Sequence, residues 1–268
     1  MSAVFIARIS YIFPNGLERH LSPGEYFHFR VPLNKAFLWT HLASVLPAGL
    51  LAVTQFVPRI RARAMSFHRN AGKAINVLTF ISTFSAVGIA HVSFGGDLSI
   101  QSGGYALALM TLWSTVKSWT AIRRLQVDKH REWIIRSWSY QMSVITLRAI
   151  SILLMIFISA SGASFYHVIP CEDVAYVLSD QEVYTRDFPQ CQTNWTGSPV
   201  NHVSVRAGID NELAATAGIR AVFGASTWGG LWLNAVICEY YLFRTRDESD
   251  RLRLVSEKRQ KVWQTLKE

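Results

Sequence analysis

Cysteine is rare in this chain, charge is sparse, and acid is scarcer than base: 3 cysteines in 268 residues, 17% charged residues, and 18 Asp and Glu against 27 Lys and Arg. No nucleophile elbow, P-loop or dinucleotide fingerprint occurs, so the acyl-transfer, nucleotide and nicotinamide chemistries that rest on those motifs have no support. Internal repeats and low-complexity tracts are missing as well. A metal site could draw on His68, His130, Asp128 and Glu239, which suit zinc or iron, but no close HxxxH or ExxH spacing joins these four. The net charge of +9 invites a nucleic-acid reading. The excess, however, sits in short segments beside apolar runs and in the tail from Arg244 onward, where membrane orientation and anionic lipid explain it without nucleic acid.

Half of the chain is apolar. Residues 37–57, 74–94, 103–122, 133–160 and 216–243 are apolar runs long enough to cross about 30 Å of hydrocarbon, which takes roughly 20 helical residues. The expected fold is an all-α, polytopic transmembrane helix bundle of about five spans, with a sixth at the amino terminus as the alternative. Its parts are an N-terminal lumenal or interfacial segment (1–36), a four-helix transmembrane core (37–160), a loop (161–215), a last transmembrane helix (216–243) and a cytosolic basic tail (244–268). Met1 to Phe13 lacks a signal-peptide cleavage site and reads as an interfacial helix. Pro47 and Gly49 predict a kink in the first span, and Phe94-Gly95-Gly96-Asp97 a tight turn. The tail, with Leu252, Val255, Val262 and Leu266 among mixed charges, predicts an amphipathic helix.

Independent signals set the orientation. Cys171 and Cys191 can pair only in an oxidising compartment, and Asn194-Trp195-Thr196 is an N-glycosylation acceptor. Both make the 161–215 loop lumenal. Arg59, Arg61, Arg63, Arg69 and Lys73, then Arg123, Arg124, Lys129 and Arg131, mark cytosolic segments. The endoplasmic reticulum or a connected endomembrane follows. Cys238, inside the last run, reads as a small buried apolar residue.

Ionisable side chains inside a bilayer are functional candidates by default. This topology yields two histidine pairs, His68 with His130 and His41 with His91, one near each membrane face. A two-haem electron carrier needs such an arrangement, since each b-type haem takes two axial ligands. Haem b is the expected cofactor on this reading, with Arg136, Arg148 and Arg220 available for its propionates. A non-redox isomerase or cyclase is the second reading: a desolvated Glu239 as acid, His130 as base, and Arg148 anchoring the substrate. A scaffold or transporter, its polar groups merely tying helices together, is the third. Expected partners are membrane lipids and either a lipophilic small molecule or a redox partner.

The segments LPAGLLAVTQFVPRIRAR (46–63), FHRNAGK (67–73), FGGDLSIQSG (94–103), RLQVDKHREWIIRSWSY (124–140) and ITLRAI (145–150) resemble the domain of unknown function 2306 family of predicted membrane proteins. The lumenal cysteines and FGASTWGGLWLNAVICEYYLFRTRDESDRLRLVS (223–256) resemble its fungal branch. The resemblance covers most of the chain after residue 40. It implies a helical membrane bundle with shared polar positions at His41, Gln55, His68, Arg69, Asp97, Gln101, Asp128, His130, Arg131, Arg136, Arg148 and Glu239, and no settled activity. His91 departs from the family pattern, and Asn234 stands where some relatives carry histidine. Fungal members of this kind often accompany small-molecule biosynthesis, which makes that an expectation by association.

Overall fold

The computed structural model describes residues 16–161, 165–192 and 201–267. In chain order the helices are α1 Gly16–His20, α2 Glu25–His28, α3 Pro32–Gln55, α4 Pro58–Arg63, α5 Met65–Ile89, α6 Leu98–Arg123 and α7 Val127–Ala160. Then come β1 Tyr166–Pro170, α8 Cys171–Leu178, α9 Gln181–Asp187, β2 His202–Arg206, α10 Glu212–Arg244 and α11 Arg246–Thr265. Each of the five apolar runs is carried by a helix, α3, α5, α6, α7 or α10, that begins several residues before it, and α3 and α5 end short of the run's far end. Apolarity marks the stretch suited to hydrocarbon, whereas helical hydrogen bonding continues into polar flanks that prolines and turn residues end. Pro32 and Pro58, for instance, open α3 and α4, where a missing N–H costs nothing. Pro47 lies inside α3, which continues through it.

Four of these helices, α3, α5, α7 and α10, are long and apolar enough to cross a membrane. The expectation was about five, and α6 is the helix that falls outside these four among the described residues. Helix α6 has 26 residues, but Thr111, Ser114, Thr115 and Ser118 lower its apolarity. Those hydroxyl residues are buried, and Ser114 and Thr115 donate to the carbonyls of Met110 and Thr111 one turn back. A serine or threonine can thus sit in an apolar setting at little cost.

The chain forms two compact units whose boundary falls within α6, α7 and α10. One comprises Met1–Gln101 and Ser151–Ala225, the other Ser102–Ile150 and Ser226–Glu268. In the first, α3 lies along α5, with Phe37 against Gly88 and His41 against Ser82. Among the described residues between α7 and α10 there is regular structure. β1 and β2 pair antiparallel from Tyr166 opposite Arg206 to Pro170 opposite His202. Strand alternation turns Val203 and Val205 inward, onto a core with Ile169, Val174 and Ala217, none of the three exposed at all. Cys171 and Cys191 form a disulfide that closes 20 residues. Cys171→Ser should cost about 3 kcal/mol, the loop-closure value for such a span. A thermal unfolding scan would show a lowered midpoint; an unchanged one would mean the hydrophobic core alone holds this module.

The second unit is tied by polar contacts between small side chains, as in membrane bundles generally. Thr115 and Ser137 share a 2.7 Å hydrogen bond, Ser139 donates to the Asn234 carbonyl, and Asn234 donates to Thr146. Cys238 is free and buried, as an apolar residue would be.

Candidate functional site

Three ionisable side chains meet around one guanidinium in the first unit. Arg220, on α10, is 1% exposed; its Nη1 is 2.7 Å from Asp173 Oδ2 on α8, and its Nε is 3.7 Å from Glu25 Oε1 on α2. His28, one turn after Glu25, has Nε2 3.0 Å from the same Asp173 oxygen and 3.4 Å from Arg220 Nη2. That nitrogen faces an acceptor and a donor at once, so one proton decides which bond it makes. Glu25 Oε2 accepts the Phe94 amide at 2.7 Å. Asp173 Oδ1 and Arg220 Nε are buried without a hydrogen-bond partner among the described residues, a state rare enough to require an explanation.

Backbone geometry brings these groups together. Phe94, Gly95 and Gly96 all have positive φ, at 51°, 88° and 60°. Phe94 is a bulky residue in the left-handed region, held there by its bond to Glu25 and by stacking of its ring on Phe223 at 3.7 Å. Strained residues concentrate at functional sites. Gly95 lies so close to Arg220 that a Cβ would stand 3.0 Å from Cδ and 3.5 Å from His167 Nε2. A side chain there would displace the guanidinium.

The electrostatics separate the two carboxyls. Burial pushes Glu25 above the usual carboxylate range, and the Phe94 amide and the Arg220 charge offset this only in part. Burial pushes Asp173 the same way, but the His28 hydrogen bond and the Arg220 charge outweigh it and hold Asp173 below that range. His167, on β1, is lowered by burial and by Arg220, against the pull of Asp97. Asp173 therefore gives up its proton more readily than Glu25 does.

The residues singled out from sequence lie elsewhere. Glu239 is clasped by Arg136, at 2.5 Å to Nε and 2.8 Å to Nη2. His130 Nδ1 lies 2.9 Å from Ser118 Oγ and 3.0 Å from its carbonyl. Arg148 is exposed on α7, about 18 Å along that helix from Arg136 and about 27 Å from His130 at 1.5 Å per residue. The base and the anchor are thus far apart on α7, and the acid, on α10, is bound to Arg136 between them. His41 Nδ1 faces the Ser82 carbonyl at 2.9 Å, about 21 Å up α5 from His68. His68 is half-buried in the first turn of α5, and His91 is exposed beyond its end. His41 and His130 both bond to a serine across a helix pair rather than to another histidine. Asp128 accepts from Ser256 at 2.7 Å, and among the described residues no three His, Cys, Asp or Glu gather as a metal set. Asn194 and the Met1–Phe13 segment lie outside the described residues.

Sequence reading named Arg220 only as a propionate partner and missed Glu25, His28 and Asp173. One signal was present: Glu25-Tyr26-Phe27-His28 puts an acid and an imidazole three residues apart, on one face of a helical turn.

An apolar helix bundle carrying buried polar ties defines an integral membrane protein. The chain belongs to the DUF2306 family of predicted membrane proteins, whose model matches residues 38–177. Glu25, His28 and Arg220 fall outside that segment. The chain is also similar to Ava biosynthesis cluster protein G of Aspergillus versicolor, at 23% identity over 244 residues covering 79% of this chain and 71% of that one. No solved structure matches it.

Proposed function

We propose that this protein is a membrane enzyme of fungal small-molecule biosynthesis that isomerises or cyclises a lipophilic metabolite by proton transfer, without redox change. One observation carries this reading: two carboxyls flank one buried guanidinium and are pushed in opposite directions, Glu25 up and Asp173 down. Paired groups with separated proton affinities are how one site supplies both acid and base. Glu25 is the donor, the ionised Asp173 with His28 the acceptor, and Arg220 the anchor for developing negative charge. Substrate reaches the guanidinium by displacing the Phe94–Gly95 turn that covers it. The biosynthesis-cluster name of the Aspergillus relative supports the setting.

The test is metabolite profiling of the producing fungus with the gene intact, deleted, or carrying Glu25→Gln. Deletion and variant should accumulate a precursor with the same elemental composition as the missing product. A precursor differing by two hydrogens, or a dithionite-reducible Soret band in purified protein, would overturn this reading in favour of a haem carrier using His68, His130, His41 and His91.

The proposed membrane is the endoplasmic reticulum or a connected one, with the disulfide module lumenal and the tail after Arg244 cytosolic. The disulfide and the basic α4 support this. At 26 residues α6 is about 39 Å long, which supports a fifth crossing despite its hydroxyls. Under this topology Asn194 carries glycan: the protein should show a glycosidase-sensitive mobility shift that Asn194→Gln removes. Lack of any shift in endomembrane-expressed protein would count against a lumenal module.

A further inference from the structure

Helix α11 carries a groove of about 310 Å³ lined by Lys258, Arg259, Val262, Trp263 and Leu266, with Leu125 from the α6–α7 turn as its far wall. The lining residues form two adjacent rows at four-residue spacing, 258, 262 and 266 beside 259 and 263, with Leu266 just past the end of α11. Each row begins with a cation and continues into apolar side chains. Val262, Trp263 and Leu266 are 61%, 54% and 76% exposed, an apolar display a soluble surface would normally cover.

The rest of α11 fixes where the groove sits. Ser256 donates to Asp128 and accepts the Val127 amide at 2.8 Å, and Gln260 donates to the Arg124 carbonyl at 2.9 Å. Those contacts hold the helix against the α6–α7 turn along the edge of the groove. Leu125 itself has φ 59°; the Gln126 amide bonds back to the Ala121 carbonyl at 3.0 Å, a helix end that usually takes glycine. A leucine here keeps an apolar wall on the groove where glycine would leave a gap.

Charge completes the pattern. Arg251 and Arg253, earlier on α11, are paired with Glu248 and Glu257. Lys258, Arg259 and Lys261 have no ion-pair partner among the described residues, and Lys267 lies over the Trp263 ring at 5.3 Å. Unneutralised cations at the mouth of an apolar groove match a molecule with an anionic head and a hydrocarbon tail, and tryptophan with basic residues is the composition of helices lying in a membrane interface. We infer that this groove is a binding site for an anionic glycerophospholipid of the surrounding bilayer, its headgroup on Lys258 and Arg259 and one acyl chain along Val262, Trp263 and Leu266. The site is separate from the Arg220 cluster and independent of the activity proposed for it.

Native mass spectrometry of the full-length protein, delipidated in mild detergent and titrated with dioleoyl phosphatidylserine or phosphatidylcholine, tests this. Phosphatidylserine should bind more tightly. Lys258→Gln with Arg259→Gln should weaken it about thirtyfold, the loss expected for two basic groups at an anionic surface, and leave phosphatidylcholine unchanged. Trp263→Ala should weaken both. Arg251→Gln with Arg253→Gln removes the same charge away from the groove and should change neither. Equal affinity for the two lipids would overturn the inference, as would an equal loss in the two double variants. It would also fail if the groove variants kept lipid affinity and lost a co-purifying protein instead.

Discussion

Arg220→Met is expected to cost about 3–5 kcal/mol, the range for removing one partner of a buried ion pair. It leaves Asp173, 1% exposed, with only His28 beside it, and the penalty falls on the stranded charge more than on the lost contact. A second substitution separates these contributions. Arg220→Met with Asp173→Leu should recover most of the loss, because well-packed apolar replacements of a buried pair are often neutral, and the remaining Glu25, already biased toward its proton by burial, can take one up rather than remain a buried charge. The measurement is the unfolding midpoint of the detergent-purified protein for both variants. If the single variant unfolds like the parent, the guanidinium does not hold the two carboxyls in place. If the double variant is worse than the single, the cluster stabilises through its shape and not through its charge balance.

How much of this was legible follows from what hydropathy can report. The helices carrying the five apolar runs were readable because burial in hydrocarbon demands long apolar stretches, and the pairing of Cys171 with Cys191 was readable because two cysteines shared one polar segment. Helix α6 was read as a span on its apolar residues; its buried hydroxyls bond back to its own backbone, and composition does not show that. The Arg220 cluster was illegible as a whole. Its members come from positions 25, 28, 173 and 220 on three helices, and the contact among them is set by the folded β1–β2 module and by a left-handed turn at Phe94–Gly96. The individually conspicuous residues, Glu239 and His130, drew the eye because they lie inside apolar runs. Each has a local partner, Arg136 or Ser118, and a structural tie was the plainer explanation. Depth in a membrane identifies an expensive side chain; only the tertiary contacts say whether its cost is already offset.

Glu25→Gln should separate chemistry from stability more sharply than any other change. The amide is an isostere of the protonated carboxyl and can still accept the Phe94 N–H, so the fold is retained. The sign of the pH effect follows from the raised affinity of Glu25 for its proton. The folded state holds that proton more tightly than the unfolded chain does, so the associated stability is present below the ordinary carboxylate range and is lost as pH rises through the raised value. Asp173, shifted downward, loses its contribution at the other end, as pH falls below that range. Replacing Glu25 by glutamine removes the first of these slopes, so at neutral pH the variant should be as stable as the parent or more so. Catalysis responds oppositely. A positioned general acid contributes roughly 10²- to 10⁴-fold, and turnover of the precursor should fall by that factor. The parent's activity should decline on the alkaline side as Glu25 deprotonates, and this limb should vanish from the variant's residual rate. Midpoints across pH in parallel with conversion of the isolated precursor give both readouts. A variant that is stable and fully active would remove Glu25 from the chemistry, and one whose activity falls only in step with unfolding would reduce the cluster to a structural tie.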